Sequence, residues 1–240
     1  MHSNGRTLVK TLGTDLLDFI FPGYCYICNV SLHSPDKYLC SSCLEKMPAL
    51  PTPFCSSCKI FLDDLPAGHN CERPLHSVYS LWTYAEGVET LVHKFKYEGK
   101  VGLGKRLGQF LAQQLSTQSF WAEIETLVPV PLHPSRKRER GYNQAEVLAQ
   151  SIAGCTEVKL LSKALRRYRN TQDQTHLSAA QRKENVRDAF QVSDRIDFSK
   201  KTIMLVDDVI TTGATLNECA KTLKQNGAKK VYACTLAVAV

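Results

Sequence analysis

The stretch IMLVDDVITTGAT, residues 203–215, constrains the fold more than any other part of the chain. Ile203 to Val206 is an unbroken apolar run, as a strand buried on both faces requires. Two aspartates follow without a spacer, and then a short turn of threonines, a glycine and an alanine. Beyond the turn, Leu216, Cys219, Ala220 and Leu223 share one helical face, and Gly227 is placed to stop the helix. The unit is a strand, a loop and a helix N-terminus. In open parallel sheets, ligands bind beyond the carboxyl ends of such strands. A helix start presents unpaired N–H groups and a positive dipole end, which suits a phosphate. Thr211, Thr212 and Thr215 add hydroxyl donors, and Gly213 lets the backbone come close. Asp207 and Asp208 would repel a phosphate at contact distance, yet they suit hydroxyls or a magnesium ion a few ångströms away. A sugar phosphate satisfies both ends.

A second unit of the same kind spans residues 126–153. Leu127 to Val130 form a short apolar strand, and Ala145, Leu148, Ala149 and Ile152 mark the inner face of a helix. The loop between them carries Arg136, Lys137, Arg138 and Arg140, so it is basic where the first loop is acidic. That complement suits a pyrophosphate, although arginine forks also grip the phosphates of a nucleic acid. Residues 136–183 hold eleven Lys and Arg against four Asp and Glu, an excess equal to the +7 of the whole chain. The remainder is neutral, and the local basic field points to a polyanionic partner.

Elsewhere the core reads as strand 77–84, a helix over 88–100 with Lys94, Lys96 and Tyr97 near its end, a helix over 104–117 and a last buried strand over 232–240. Residues 99–106, GKVGLGKR, imitate a phosphate-binding P-loop. Arg106 stands where Ser or Thr must hold magnesium, and a helical pattern precedes the glycines instead of a strand. Residues 166–192 are long, polar and basic before turning helical near 178–186 and ending in a candidate edge strand, AFQV. A polar insertion of this kind between core elements suits a mobile lid.

Seven of the ten cysteines fall within residues 25–71. Cys25 and Cys28, then Cys40 and Cys43, form two C-x-x-C pairs eleven residues apart, the spacing of a tetrahedral zinc site. Cys55, Cys58 and Cys71 supply three ligands for a second ion. Its fourth ligand is His69, His76 or absent, and the pairs could instead interleave, first with third. A segment this short buries little apolar area, so zinc would supply its folding energy. Cys155, Cys219 and Cys234 stand alone and read as core residues. The first residues lack the apolar core of a signal peptide, and no run approaches the ~20 residues that span a bilayer. The reading is a cytoplasmic protein without membrane insertion, beginning with a short packed helix over 1–21.

The 203–215 string closely resembles the signature of type I phosphoribosyltransferases. By that resemblance, Asp207 and Asp208 hold the ribose hydroxyls of phosphoribosyl pyrophosphate (PRPP), and Thr211, Thr212, Gly213, Ala214 and Thr215 wrap its 5′-phosphate. The N-terminal C-x-x-C pairs, VPVPLH…RGYNQ, a run holding Arg169, Thr171, Gln174, Leu177, Ser178, Arg182 and Asn185, and the PRPP signature follow the order seen in ComF-type proteins. This resemblance covers nearly the whole chain. The sequence departs at Cys71-Glu72-Arg73-Pro74, where the family often has a fourth C-x-x-C.

The resemblance implies an α/β fold: a type I phosphoribosyltransferase-like core with a mostly parallel sheet over 77–240, after a small cysteine-rich zinc-binding module over 22–76. It implies glycosyl transfer from PRPP with magnesium, the aspartates orienting the ribose and the arginine loop at Arg136, Arg138 and Arg140 holding the leaving pyrophosphate. A lid with Arg169, Thr171 and Gln174 would exclude water. It also implies a role in natural competence, with imported single-stranded DNA and a ComF-type helicase as partners. The alternative is a non-catalytic module on the same scaffold that binds single-stranded nucleic acid or senses PRPP, with Tyr142 and Tyr168 as stacking faces.

Overall fold

The structure, a computed structural model, describes residues 23–32, 38–50, 53–71, 74–169, 179–194 and 196–239. The expected helix over 1–21 and the lid residues Thr171 and Gln174 lie outside the described residues. In chain order the elements are β1 Gly23–Tyr24, β2 Ser31–Leu32, α1 Ser41–Glu45, β3 Val78–Thr83, α2 Val88–Tyr97, α3 Val101–Ser116, β4 Thr126–Pro129, α4 Pro134–Arg140, α5 Gln144–Cys155, β5 Lys159–Leu160, β6 Leu165–Arg167, α6 Ala179–Val186, β7 Phe190–Val192, β8 Thr202–Val206, β9 Val209–Ile210, α7 Ala214–Gln225 and β10 Lys230–Val238.

Five strands make the central sheet in the order β3-β10-β8-β4-β5, and β9 pairs with the far half of β10. Every pairing within this sheet is parallel. Parallel strands are covered on both faces, which is why β8 and β10 read as continuous apolar runs. Leu127, Met204, Val206, Tyr232 and Cys234 face the layer of α2, α3 and α5. Val128, Ile203, Leu205, Val231 and Ala233 face the opposite layer, where α7 contributes Leu216, Cys219, Ala220 and Leu223. The last strand in sequence is thus second in the sheet, directly beside β8. AFQV does not join the main sheet; β7 pairs antiparallel with β6 in a separate ribbon.

The N-terminal cysteine module closes an edge of this sheet. Phe54 and Val78 exchange backbone hydrogen bonds at 2.9 and 3.0 Å, Leu50 N–H donates to the Leu81 carbonyl and Thr83 N–H to that of Pro48. These bonds lie on the outer side of β3, whose free edge would otherwise be open to pairing with another chain. Five of the six β3 residues are buried as a result.

The P-loop imitation lies in helix. Gly99 takes φ +66 and separates α2 from α3, so α3 starts three residues earlier than its spacing predicts. A Cβ on Gly104 would lie 2.1 Å from the fully buried Phe95 ring, and one on Gly108 2.6 Å from Ser151 Cβ. These glycines serve close packing. Alanine gains about 0.5–1 kcal/mol in helix propensity, but overpacking a closed core loses about 1–3 kcal/mol. Gly104→Ala and Gly108→Ala should each lower stability by about 1–2 kcal/mol in urea unfolding. Cys155 is exposed, against the core reading; Cys219 and Cys234 are fully buried as expected.

Candidate active site and metal centres

The acidic pair occupies the step between two strands. β8 pairs with β10 up to Val206, opposite Cys234, and β9 resumes at Val209, opposite Ala237. Between them the backbone stays pinned: Asp207 N–H donates to the Cys234 carbonyl at 3.0 Å, and the Asp208 carbonyl accepts from Leu236 N–H at 2.9 Å. Asp208 N–H also donates to Asp207 Oδ1 at 2.8 Å. The two carboxylates are therefore held on a fixed backbone at the carboxyl end of the central strand, where parallel sheets bind ligands.

Their charges are arranged unequally. Asp208 Oδ1 lies 3.0 Å from Lys96 Nζ, in the last turn of α2. Burial works against the Lys96 charge, but Asp208 and Asp207 outweigh it and raise the ammonium above its ordinary range. Burial and then the Asp208 charge push the Asp207 carboxyl up to about 7, against the pull of the Asp208 N–H, Lys96 and Arg167. A folded-state value above the unfolded one means that the native protein binds the proton more tightly. Stability from this group is full below the unfolded value, near 3.8, and is lost as pH rises through about 7. Asp207→Asn should therefore stabilise the ligand-free protein at pH 8 by about 1–2 kcal/mol and flatten its stability profile between pH 5 and 8, as read by denaturant titration.

Around the pair lies a cleft of about 410 Å³. One wall is the Thr211–Thr215 loop, which enters the twelve-residue helix α7 with Gly213 at the N-cap in the left-handed region, φ 76. Thr212 Oγ1 accepts from Ala214 N–H at 3.4 Å. The cationic side holds Arg136 and Arg140 from α4, Arg167 from β6 and Lys96. The segment read as a basic loop is the helix α4. His133 accepts from Ser135 N–H, Pro134 takes the first turn and Gly141 ends it with φ 79, a start and stop visible in the sequence. The helix puts residues 136 and 140 one turn apart on one face, and both line the cleft. Arg138 falls on the exposed side and does not line it. Arg169 is exposed at the end of the β6–β7 ribbon, and its Nη1 donates to the Arg187 carbonyl at 2.9 Å.

Lys96 and Arg167 carry charge in the cleft that the motifs did not assign. For Lys96 a signal existed: it follows Val92 by four residues, on the inner side of an amphipathic helix, where a lysine needs a partner. Arg167 gives no such sign, since its ribbon pairing is non-local. Tyr142 donates its hydroxyl hydrogen to the Phe95 carbonyl and Tyr168 to that of Asp188, so both are tied into the fold.

The cysteines form two separate sets of four: Cys25, Cys28, Cys40 and Cys43, and Cys55, Cys58, His69 and Cys71. In each, the ligand atoms lie within 4.8 Å of one another. The pairs do not interleave, and His69 completes the second set of four. His76 instead packs edge-on against Tyr232, ring centroids 4.8 Å apart. Zinc–sulfur bonds of about 2.3 Å in a tetrahedron place sulfurs about 3.8 Å apart, and Cys28 and Cys40 Sγ are 3.7 Å apart. The knuckles repeat each other. Cys25 N–H bonds to the Val30 carbonyl and Cys55 N–H to that of Ile60, while Asn29 and Lys59 both take positive φ. Burial alone would raise the Cys25 thiol, but the N–H groups of Cys28, Cys40 and Ile27 bring it down to about 6, favouring the thiolate a metal needs.

The phosphoribosyl transferase domain family matches residues 104–239, and the double zinc ribbon domain matches residues 16–73. Competence protein F of Haemophilus influenzae is 31% identical over 222 residues, covering 89% of this chain and 96% of its own. The chain belongs to the ComF family. Other relatives of this ComF-family chain include the DNA utilization protein YhgH of Salmonella typhi, 31% identical over 88% of this chain and 94% of its own. Competence protein ComFC of Streptococcus pneumoniae is 28% identical over 83% and 87%. Among solved structures, the glutamine PRPP amidotransferase of B. subtilis is similar at 19% identity and a TM-score of 0.41, over 60% of the ComF-family chain and 30% of that one, too distant to carry an argument. The N-terminal module is a double zinc ribbon with structural zinc, and no described helix is long and apolar enough to cross a membrane.

Proposed function

We propose that this ComF-family chain binds PRPP with magnesium in the cleft and acts as a phosphoribosyltransferase in the handling of single-stranded DNA. One observation carries the reading: a fixed acidic pair stands between a hydroxyl-rich helix start on one side and a cationic wall on the other. Asp207 and Asp208 accept hydrogen bonds from the ribose hydroxyls and orient the anomeric carbon. Thr211 to Thr215 donate to the 5′-phosphate at the α7 N-terminus. Arg136, Arg140 and Arg167 face the pyrophosphate and stabilise the charge that builds on it as it leaves. The oxygen donors of the acidic pair suit a hard cation, and magnesium, when bound, supplies further charge neutralisation to the pyrophosphate.

Lys96 pairs with Asp208 at 3.0 Å and balances its charge beside the ribose end of the cleft. Asp207 ionises near pH 7, so PRPP affinity should rise from pH 6 to pH 8. The names of the relatives, which refer to competence and DNA utilization, support a setting in DNA handling.

Titration calorimetry of zinc-loaded protein with magnesium and PRPP tests the reading. Micromolar binding that weakens less than about tenfold between 50 and 200 mM salt is expected of a pocket for one small ligand. A surface tracking a nucleic acid by six or more phosphates loses about 10³-fold over that range. Absence of PRPP binding in a folded sample overturns the pocket, leaving single-stranded DNA as the ligand to titrate next.

A further inference from the structure

The second zinc knuckle touches the phosphate loop directly. A Cβ on Gly213 would lie 2.7 Å from the backbone carbonyl oxygen of Ser56, which sits between two zinc ligands, Cys55 and Cys58. Gly213 is therefore glycine for two reasons, its positive φ and the knuckle lying against it. Ser56 is 1% exposed, and its hydroxyl donates to Asn217 Oδ1, in the first turn of α7, at 2.8 Å. Asn217 N–H in turn donates to the Gly213 carbonyl at 2.9 Å. On the other side of the knuckle, Lys59 Nζ donates to the Ala239 carbonyl at 2.8 Å. Ala239 lines the cleft, and its N–H donates to Ile210, immediately before Thr211. Two hydrogen-bonded routes thus run from residues adjoining zinc ligands to the two ends of the phosphate loop.

Among the described residues, the first knuckle lies against other elements. Its Ile27 packs against Gly87, and its Tyr26 ring lies near Lys94 and Lys100. The positions matching Ser56 and Lys59 are Tyr26 and Asn29. The two sites repeat in local geometry but differ in what they hold.

We propose that Ser56 and Lys59 are positioning residues through which the second zinc knuckle sets the conformation of the phosphate loop, so that affinity for the 5′-phosphate end of the ligand depends on that knuckle. The inference rests on the PRPP reading for its ligand, but the loop coupling itself does not. Coupling of this kind is reciprocal, so a ligand held by the loop also tightens the equilibrium binding of the second zinc.

The test uses the full zinc-loaded chain with Ser56→Ala, Lys59→Met and Lys59→Arg, each checked for two zinc ions by metal analysis. Ribose 5-phosphate and magnesium pyrophosphate are titrated separately. Ser56→Ala and Lys59→Met should weaken ribose 5-phosphate about fivefold to tenfold and leave magnesium pyrophosphate within about twofold. Lys59→Arg, which keeps a donor for Ala239, should recover most of the loss. Equal loss for both ligands would mean general destabilisation and would overturn a positioning role. Amide hydrogen exchange over residues 209–217 needs no ligand. It should quicken in Ser56→Ala and Lys59→Met, and unchanged exchange in both would overturn the inference even if the wild-type protein bound neither probe. Faster exchange in a protein that binds neither would sink the PRPP reading and keep the coupling.

Discussion

Replacing both carboxylates, Asp207→Asn with Asp208→Asn, should lower affinity for magnesium-PRPP by at least about 100-fold and leave the fold intact. Each charged acceptor of a sugar hydroxyl contributes about 1.5–3 kcal/mol, and two such losses reach about two to four powers of ten. Survival of the fold follows from opposing effects on the two sides of the pair. Asp208→Asn alone leaves Lys96, only 20% exposed, without its carboxylate, and breaking such a pair is destabilising. Asp207→Asn removes a carboxyl whose ionisation at neutral pH works against the folded state. The two changes offset each other, so thermal unfolding of the double variant should lie close to wild type, with Asp208→Asn below it and Asp207→Asn above. Calorimetry and a melting curve on the three proteins read both halves of the prediction. Wild-type PRPP affinity in the double variant would remove the acidic pair from the site.

Cys58→Ser should reduce zinc from two ions per chain to one and unfold the second ribbon. A structural zinc contributes about 10–16 kcal/mol in small peptides, as much as the whole stability of an ordinary domain. The effect does not stop at the ribbon. Phe54, one residue before the site, is 2% exposed and bonded through its backbone to Val78 on the outer edge of β3. Releasing it opens that edge to pairing with other chains. Metal analysis and light scattering should show one ion lost and aggregation at temperatures where wild type stays monodisperse. Cys28→Ser, in the set away from the phosphate loop, should also lose one ion. A Cys58→Ser protein with two bound zinc ions would contradict the assignment of His69 and the three cysteines as one site.

The parts of the site legible in the sequence are those whose chemistry is local. The strand, acidic pair and threonine loop fall within thirteen consecutive residues, and the acidic pair and the loop line one cleft. Spacing alone favours the first zinc set but leaves interleaving of the first pair with the third open, which the structure excludes. The second set was less legible, because His69 and His76 were equally available as ligands, and only packing sent His76 to Tyr232. Arg136 and Arg140 were visible as a basic run, but their separation from Arg138 required knowing that Pro134–Arg140 is a helix. Proline and glycine at its ends announce that, yet the dense positive charge masks any apolar period.

Amino-acid order alone fixed the parallel α/β core, the acidic and hydroxyl-rich make-up of the central loop and the demand for zinc. Each of these depends on residues close together in the chain, where periodicity, capping and ligand spacing act. Tertiary structure alone decided the rest. It brought Lys96 to Asp208 across 112 positions, set Arg167 into the cleft from a separate ribbon and laid the second zinc knuckle against Gly213. These contacts join segments far apart in sequence, and only the packing of both layers onto one sheet determines which distant side chains meet.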